Sequence, residues 1–200
     1  MNFWELVNKL KKMKGGIYLL CGNGTKNQFR YLNDLKKIIR QIALDIPKES
    51  SFIYFGDTPN KDNPDIGYAF QILKKQRPDI KIYMIQIDIA KSWGYPEFVE
   101  DVYWHKDFNK KCKWGGLNNG KPCSNTKKWI SINNYIKINK AFILGGGQIT
   151  LDEIKLFKKY NIDYEYYLIE RRYLGDGKTK VRNNNSIKDK IGITYHLIKS

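Results

Sequence analysis

The chain has 200 residues, with 36 Lys and Arg against 20 Asp and Glu, so its formal net charge is +16. This length predicts one domain over 1–200 with a single sizeable core, and 42% hydrophobic residues exclude disorder over most of it. No apolar run is long enough to cross a membrane, and residues 1–13 are amphipathic rather than a signal peptide. Three distant cysteines form no disulfide framework. We therefore expect an intracellular, cytoplasmic protein without a membrane partner.

The positive charge comes almost entirely from lysine, with 30 Lys and only 6 Arg. Lys, Asn, Ile and Tyr share A/T-rich codons, and the 18 Asn are typical of an A/T-rich genome such as that of a giant DNA virus or a protist. For a viral protein the expected location is the host cytoplasm. A surface that binds phosphates or reads bases favours Arg, because its planar guanidinium binds such groups bidentately. The charge alone therefore does not indicate a nucleic-acid partner.

Helical and strand periodicities alternate along the chain. The first helix has Leu6, Val7 and Leu10 on one stripe, and the first strand is a continuous apolar run. The predicted elements, in chain order, are helix 1–13, strand 17–21, helix 29–42, strand 51–55, helix 63–73, strand 80–88, helix 126–138, strand 141–144, helix 150–160, strand 164–174, strand 179–182 and strand 191–198.

Two stretches are harder to assign. Residues 89–125 look like a long irregular connection with a short helix near 96–103, and such a connection is typically functional. Residues 126–138 fit a helix or a strand, and the alternation with neighbouring strands favours the helix. Near the C-terminus, Gly175-Asp176-Gly177 indicates a hairpin.

Alternating strands and helices predict an α/β, Rossmann-like fold with a mainly parallel sheet, helices on both faces and a C-terminal hairpin. Ligands in such folds bind at the carboxyl ends of the strands, where the strand order reverses. Three glycine-bearing polar segments follow predicted strands, at 22–26, 56–65 and 145–153.

The first segment contains Gly22, Gly24, Thr25 and Lys26 between a strand and a helix. Glycines let the backbone turn tightly and direct its N–H groups outward, and the helix N-terminus favours an anion. Thr25 and Lys26 would donate to a phosphate. The alternative is purely structural, because any such turn needs small residues and a capping Thr.

The second segment has three glycines, Gly145, Gly146 and Gly147, after a buried strand and before a helix. Because glycine costs about 1 kcal/mol relative to Ala in backbone freedom, a close approach to a ligand is the natural reason for three of them. Thr150-x-x-Glu153 also reads as a capping box, which is a structural alternative for Glu153. Both interpretations are compatible.

This second segment resembles the PGGxGTxxE signature of the lysine decarboxylase-like, or LOG, family, part of the SLOG group of Rossmann-like nucleotide-binding domains. LOG enzymes hydrolyse the bond between a base and ribose 5′-monophosphate, and other SLOG domains are thought to bind nucleotide signals. The resemblance implies that Gly146, Gly147 and Thr150 hold a phosphate and that Glu153 is the catalytic glutamate. It also implies a homodimer, and we expect no cofactor.

The chain departs from that signature at three places. Gly145 replaces the proline, Ile149 replaces the last glycine, and Lys127 or Lys128 stands near the position of the family's arginine. Loss of the arginine removes bidentate recognition, so Lys128 would only neutralise the phosphate. A nucleotide or another phosphorylated small molecule remains the expected ligand, and hydrolysis of a nucleoside monophosphate and non-catalytic binding both remain open.

The third segment contains Asp57 at a strand end, where acids accept hydrogen bonds from ribose hydroxyls. Asp65 is more simply a first-turn residue that faces the helix dipole. We therefore include only Asp57 in the predicted ligand site.

Two further groups of residues are candidates for a chemical site. His105, Cys112 and Cys123, with Asp107, match no standard zinc spacing, so no metal site is predicted. Cys21 lies far in sequence from both histidines and is more simply a small core residue than a nucleophile.

The alternative function is nucleic-acid binding by the lysine-rich surface and a tryptophan-rich loop. Aromatic side chains interleaved with lysines stack the bases of a single strand, and the candidates are Trp93, Trp104, Trp114 and Trp129. The structural alternative is that these side chains close a long loop over the core. A third option is an interaction protein on a degenerate Rossmann scaffold, because fold does not imply function.

Overall fold

A computed structural model describes residues 1–22, 32–55, 66–106, 124–145, 148–167, 171–175, 178–182 and 195–196. Its helices are α1 (Phe3–Lys11), α2 (Leu32–Asp45), α3 (Gly67–Gln76), α4 (Ser124–Ile130) and α5 (Gln148–Lys159), with short 3-10 helices at Asp88–Trp93 and Ser131–Asn134. Its strands are β1 (Ile17–Gly22), β2 (Ser51–Phe55), β3 (Lys81–Ile87), β4 (Asp101–His105), β5 (Lys140–Leu144), β6 (Tyr164–Tyr167), β7 (Arg171–Gly175), β8 (Lys178–Arg182) and β9 (Tyr195–His196).

Seven strands form one sheet in the order β4-β3-β2-β1-β5-β6-β9, and every pairing in it is parallel. Strands β7 and β8 pair antiparallel as a separate hairpin. The predicted α/β, Rossmann-like architecture with a C-terminal hairpin is therefore confirmed. No helix in the described part of the chain is both long and apolar enough to cross a membrane.

Helices cover both faces of this sheet. One face packs against α1, α4 and α5, and the other packs against α2 and α3. The central strand β1 is buried along nearly its whole length, as expected for a parallel strand covered on both faces. Its continuous apolar run is thus a direct consequence of its central position.

The first helix illustrates how local sequence sets the element boundaries. Asn2 Oδ1 accepts from the Glu5 backbone N–H at 2.9 Å, and Glu5 Oε2 accepts from the Asn2 backbone N–H at 2.7 Å. This capping box satisfies donors that the first helical turn leaves open. Leu6, Val7 and Leu10 then bury the apolar stripe of α1 against the sheet.

The short helix predicted near 96–103 is wrong, because Asp101–His105 forms strand β4. The register runs from Tyr83 opposite Asp101 to Ile87 opposite His105. Val, Tyr and Trp fit a pleated, half-buried surface well, and pairing with β3 decides the conformation of this segment. The helix favoured at 126–138 is confirmed, although it is divided into α4 and the 3-10 helix that follows it.

Two strand predictions need correction in extent. The strand predicted over 164–174 is two strands, β6 and β7, which belong to different sheets. Of the strand predicted over 191–198, the residues that the structure describes are the two of β9.

The strand order reverses next to β1. The chain passes from β1 through α2 to β2 on one side, and from β5 through α5 to β6 on the other. Because α2 and α5 lie on opposite faces, the carboxyl ends of β1 and β5 form the switch point of the sheet.

Candidate functional site at the switch point

The carboxyl ends of β1 and β5 lie directly beside each other. Cys21 stands opposite Ile143, and Gly22 stands opposite Leu144, the residue before Gly145. Two of the three predicted glycine-bearing segments therefore begin at neighbouring points of one sheet edge. In the sequence they are more than a hundred residues apart, and the parallel pairing of β1 with β5 brings them together.

Both glycines adopt the left-handed backbone conformation that other residues disfavour. The φ angles are +96° at Gly22 and +56° at Gly145. A Cβ at Gly22 would meet the Leu144 carbonyl oxygen and lie 2.9 Å from its carbonyl carbon. The Gly145 N–H donates to the Tyr167 carbonyl at 2.9 Å, which ties this turn to the end of β6. Glycine is thus required here by close backbone approach.

Helix α5 starts immediately after this turn, at Gln148. Thr150 is therefore the third residue of the helix rather than its cap, and the predicted capping box of Thr150 with Glu153 is wrong. Thr150, Asp152 and Glu153 are all buried. The structure thus removes the capping explanation for Glu153 and leaves a buried carboxyl group.

Burial, together with a smaller contribution from the negative charge of Asp152, raises the pKa of Glu153 to about 8. Desolvation disfavours the charged form of a carboxyl group, so Glu153 is mostly protonated at pH 7. The pKa of the Cys21 thiol is also raised, first by burial and then by the charge of Glu153. This coupling indicates that the Glu153 carboxyl group lies near the end of β1.

Cys21 belongs to the same buried apolar cluster as Leu151 and Ile154 of α5. A buried thiol with a raised pKa is a poor nucleophile, because the thiolate is the reactive form. The structure therefore agrees with the interpretation of Cys21 as a core residue, and the titratable group of interest at this edge is Glu153.

Lys128 lies on α4, on the face of the sheet that α5 also covers, and its side chain is exposed. Next to it, Trp129 is buried and stacks on Phe55 at the end of β2, with ring centroids 5.7 Å apart and planes 12° apart. This stacking fixes α4 near the carboxyl edge of the sheet. Lys128 precedes Trp129 on this helix, and α4 packs beside α5.

The structure describes five of the predicted site residues: Gly22 and Gly145 stand at this edge, Thr150 and Glu153 lie in the first two turns of α5, and Lys128 lies on α4. The other predicted ligand-site residues lie outside the described part of the chain, namely Gly24, Thr25, Lys26, Asp57, Gly146 and Gly147.

Asp152 is the buried acid that the sequence analysis missed. It is fully buried, and Oδ1 lies 3.6 Å from the Lys155 Nζ. No sequence signal could have found it, because Leu151 and Ile154 face the core and helical geometry directs the two acids between them away from that core stripe.

The structure also describes some of the residues considered for nucleic-acid binding and for a metal site. Trp129 is buried against Phe55 and Trp104 packs partly buried against the core, which agrees with the structural alternative for these two side chains. Trp114 and the side chain of Trp93 lie outside the described part of the structure. His105 is buried in β4, while Cys112 and Cys123 lie outside the described residues. Within the described ranges, no group of three His, Cys, Asp or Glu side chains is arranged to hold a metal ion.

Comparisons with protein-family models, curated proteins and solved structures found no match to this chain.

Proposed function

We propose that the protein binds a nucleoside 5′-monophosphate, or a closely related phosphorylated small molecule, at the carboxyl edge of β1 and β5. The observation that carries this proposal is the pairing of Gly22 with Leu144, which brings two glycine-bearing strand ends to the switch point. Open α/β sheets bind their ligands at this place. Positive φ angles at Gly22 and Gly145 support close approach of the ligand to the backbone.

The phosphate would lie at the start of α5. This helix has 12 residues, and its N-terminus follows directly after the Gly145 turn. A helix N-terminus favours an anion through its free N–H groups and its dipole. Lys128 on the adjacent α4 would supply the compensating positive charge, as a point charge rather than a bidentate clamp.

Glu153 would act on the bond between ribose and base. Water attacks C1′, the C1′–N bond breaks, and the base leaves with the bonding electrons and the proton of Glu153, while the attacking water loses one proton, which restores the Glu153 carboxyl group. A carboxyl group protonated at pH 7, as the pKa of about 8 implies for Glu153, is suited to donate that proton to the base. A neutral Glu153 also lets a phosphate bind nearby without repulsion between two anions.

The test combines binding and turnover. Thermal shift with AMP, GMP, CMP and UMP measures binding, and chromatography of the released base measures hydrolysis. We expect Glu153→Gln to abolish release of the base and to keep the nucleotide-induced rise in melting temperature. The control is Glu97→Gln, because Glu97 is exposed and precedes β4 at the opposite end of the sheet.

Absence of binding by the wild type to all four nucleotides would overturn the proposal. Binding without release of any base would overturn the hydrolytic part and leave a binder of a nucleotide signal. Equal loss of turnover in Glu97→Gln would show that the effect of Glu153→Gln is not local to the switch point.

A further inference from the structure

A cavity of about 320 Å³ lies at the amino edge of the sheet, at the opposite ends of β1, β2 and β3 from the candidate site. At about 3.3 Å per residue, the length of β1 separates the two regions by roughly 16 Å. The cavity is lined by Lys12, Met13, Lys14, Glu49, Asp79 and Lys81. These residues come from three separate connections, which lead into β1, β2 and β3.

Hydrogen bonds join the three connections that line this cavity. The Gly15 N–H donates to the Glu49 carbonyl at 3.2 Å, the Ser50 Oγ donates to the Gly15 carbonyl at 2.9 Å, and the Lys81 N–H donates to the Ser50 carbonyl at 3.1 Å. A Cβ at Gly15 would lie 2.6 Å from the Ser50 backbone nitrogen, so the turns are in close contact. The cavity is therefore formed before any ligand arrives.

The cavity is lined by three lysines and only two carboxylates. Lys12, Lys14 and Lys81 are exposed, and none of them forms an ion pair with another described residue. Of the two carboxylates, Asp79 is already bound by Arg77, whose Nε and Nη2 each donate to one Asp79 oxygen at 2.8 Å. Three lysines thus line the cavity together with Glu49, whose carboxylate forms no ion pair with another described residue.

A buried polar group stands at the same edge. Ser51 pairs with Lys81 in the register of β2 and β3, and its hydroxyl is buried without a hydrogen-bond partner in the described part of the chain. Side chains alternate along a strand, so Ser51 projects to the same face as Ile53, the face that α1 covers. Such a hydroxyl costs free energy, but Ser51 is fully buried and is not among the residues that line the cavity, so it forms no part of the anion site.

We propose that this cavity is a second anion site, which binds a small oligophosphate such as pyrophosphate or tripolyphosphate. Lysine ammonium groups are strongly hydrated point charges that suit phosphate oxygens without demanding a planar geometry. The volume is at the lower end of the range for ligand cavities, which favours a compact polyanion over a complete nucleotide. The three lysines line a single cavity. A nucleic-acid backbone is instead followed by an extended stripe of basic residues.

The experiment is isothermal titration of the full-length protein with pyrophosphate and tripolyphosphate, using sulfate at matched ionic strength as the reference anion. We expect saturable binding that the double variant Lys14→Gln, Lys81→Gln weakens about tenfold. The matched control is Lys75→Gln, Lys91→Gln, which removes two exposed lysines elsewhere and should weaken binding less than about twofold. Circular dichroism of both double variants verifies that they are folded.

Two results would overturn the proposal. One is a binding heat that does not saturate with either oligophosphate. The other is an equal loss of oligophosphate affinity in the two double variants, which would indicate a general effect of net charge. Titration of Lys128→Gln separates this site from the proposed nucleotide site, because Lys128 is the cation assigned to the phosphate there and its loss should leave pyrophosphate affinity equal to that of the wild type. If instead Lys128→Gln weakens pyrophosphate binding and the Lys14, Lys81 variant does not, the oligophosphate binds at the switch point and the cavity proposal fails. A tripolyphosphate affinity well above that of ATP indicates the free oligophosphate as the ligand, and the reverse order would contradict the preference for a compact polyanion.

Discussion

At the amino edge of the sheet, Asp79 is exposed and its pKa is lowered to about 2 by the hydrogen bonds from Arg77. At the carboxyl edge, Glu153 is buried and its pKa is raised to about 8 by desolvation. The same chemical group is thus stabilised as an anion at one edge and as a neutral acid at the other. Shifts of the second kind cost folding free energy and concentrate at functional sites.

The backbone differs between the two edges in the same sense. Hydrogen bonds join the connections that precede β1, β2 and β3 at the amino edge. At the carboxyl edge, Gly22 and Gly145 adopt positive φ angles beside the paired strand ends. The comparison is therefore between an amino edge whose contacts stabilise the fold and a carboxyl edge whose glycine turns and buried acid cost stability. Three measurements test this comparison.

The largest effect is expected for Gly22→Ala. The new Cβ would meet the carbonyl of Leu144 and would also hold a positive φ of 96°. Strain in the left-handed region and overpacking against a backbone group together cost about 4 kcal/mol. Urea denaturation measures the free energy of unfolding.

The control for this substitution is Gly94→Ala. Gly94 also has a positive φ, of 75°, but a Cβ there would meet nothing within 4 Å. Its ψ of −163° places it in a region that other residues avoid, so Gly94→Ala should cost about 2 kcal/mol, the conformational term alone. Equal losses in the two variants would contradict the close approach of β1 and β5 as the reason for Gly22.

The second prediction is that Glu153→Gln raises the free energy of unfolding, whereas Gly22→Ala lowers it. The folded-state pKa of Glu153 is about 8 and its model value is 4.5, so the folded protein holds a proton that the unfolded chain releases. Stability is therefore lost as the pH rises from about 4.5 to about 8, by up to about 3 kcal/mol at pH 7. Glu153→Gln should be more stable than the wild type at pH 8.

Urea denaturation of Glu153→Gln and of the wild type at pH 5 and pH 8 checks this. The difference between them should shrink strongly at pH 5, where the unfolded chain is also partly protonated. Glu97→Gln, at an exposed carboxylate, should show no such pH dependence. A stabilisation of Glu153→Gln that is the same at both pH values would contradict the burial of an ionisable group at this position.

The smallest effect is expected for Asp79→Asn. A lowered pKa stabilises the fold above the unfolded value, and this contribution is lost as the pH falls from about 4 towards 2. Because Asp79 is exposed, solvent screens its pair with Arg77, and the loss at pH 7 should be below about 1 kcal/mol. Urea denaturation at pH 7 and pH 3 measures it, with Asp163→Asn as the control at an exposed acid. A gain in stability at pH 7 would reverse the contrast between the two edges.

Much of the fold could be predicted from periodicity. The buried strands β1, β2, β3 and β5 were all predicted, because strands covered on both faces are continuous apolar runs. Strand β4 was not, because it lies at the border of the sheet and has intermediate residues at Asp101, Tyr103 and Trp104. In a strand with so little burial, apolar and polar residues do not alternate clearly along the sequence. Its pairing with β3 therefore defines the strand.

The candidate site was predictable in part. Three glycines after a buried strand indicated Gly145 and its neighbours without any structure, and the Thr150-x-x-Glu153 pattern drew attention to Glu153. The role assigned to that pattern as a cap was wrong, because α5 extends two residues further towards Gly145. Helix ends depend on local contacts that a spacing rule does not contain. Asp152 was missed because burial of an acid depends on what the helix packs against.

The alternation of helices and strands, and with it a parallel sheet covered on both faces, could be predicted because both follow from local periodicity and chain connectivity. The pairing of β5 with β1, which brings Gly22 next to the end of β5 and Glu153 within electrostatic range of Cys21, is a property of the tertiary structure. Strand order is a long-range property that the local pattern does not encode. The protonation of Glu153 is likewise a tertiary property, since it arises from desolvation by residues distant in the chain.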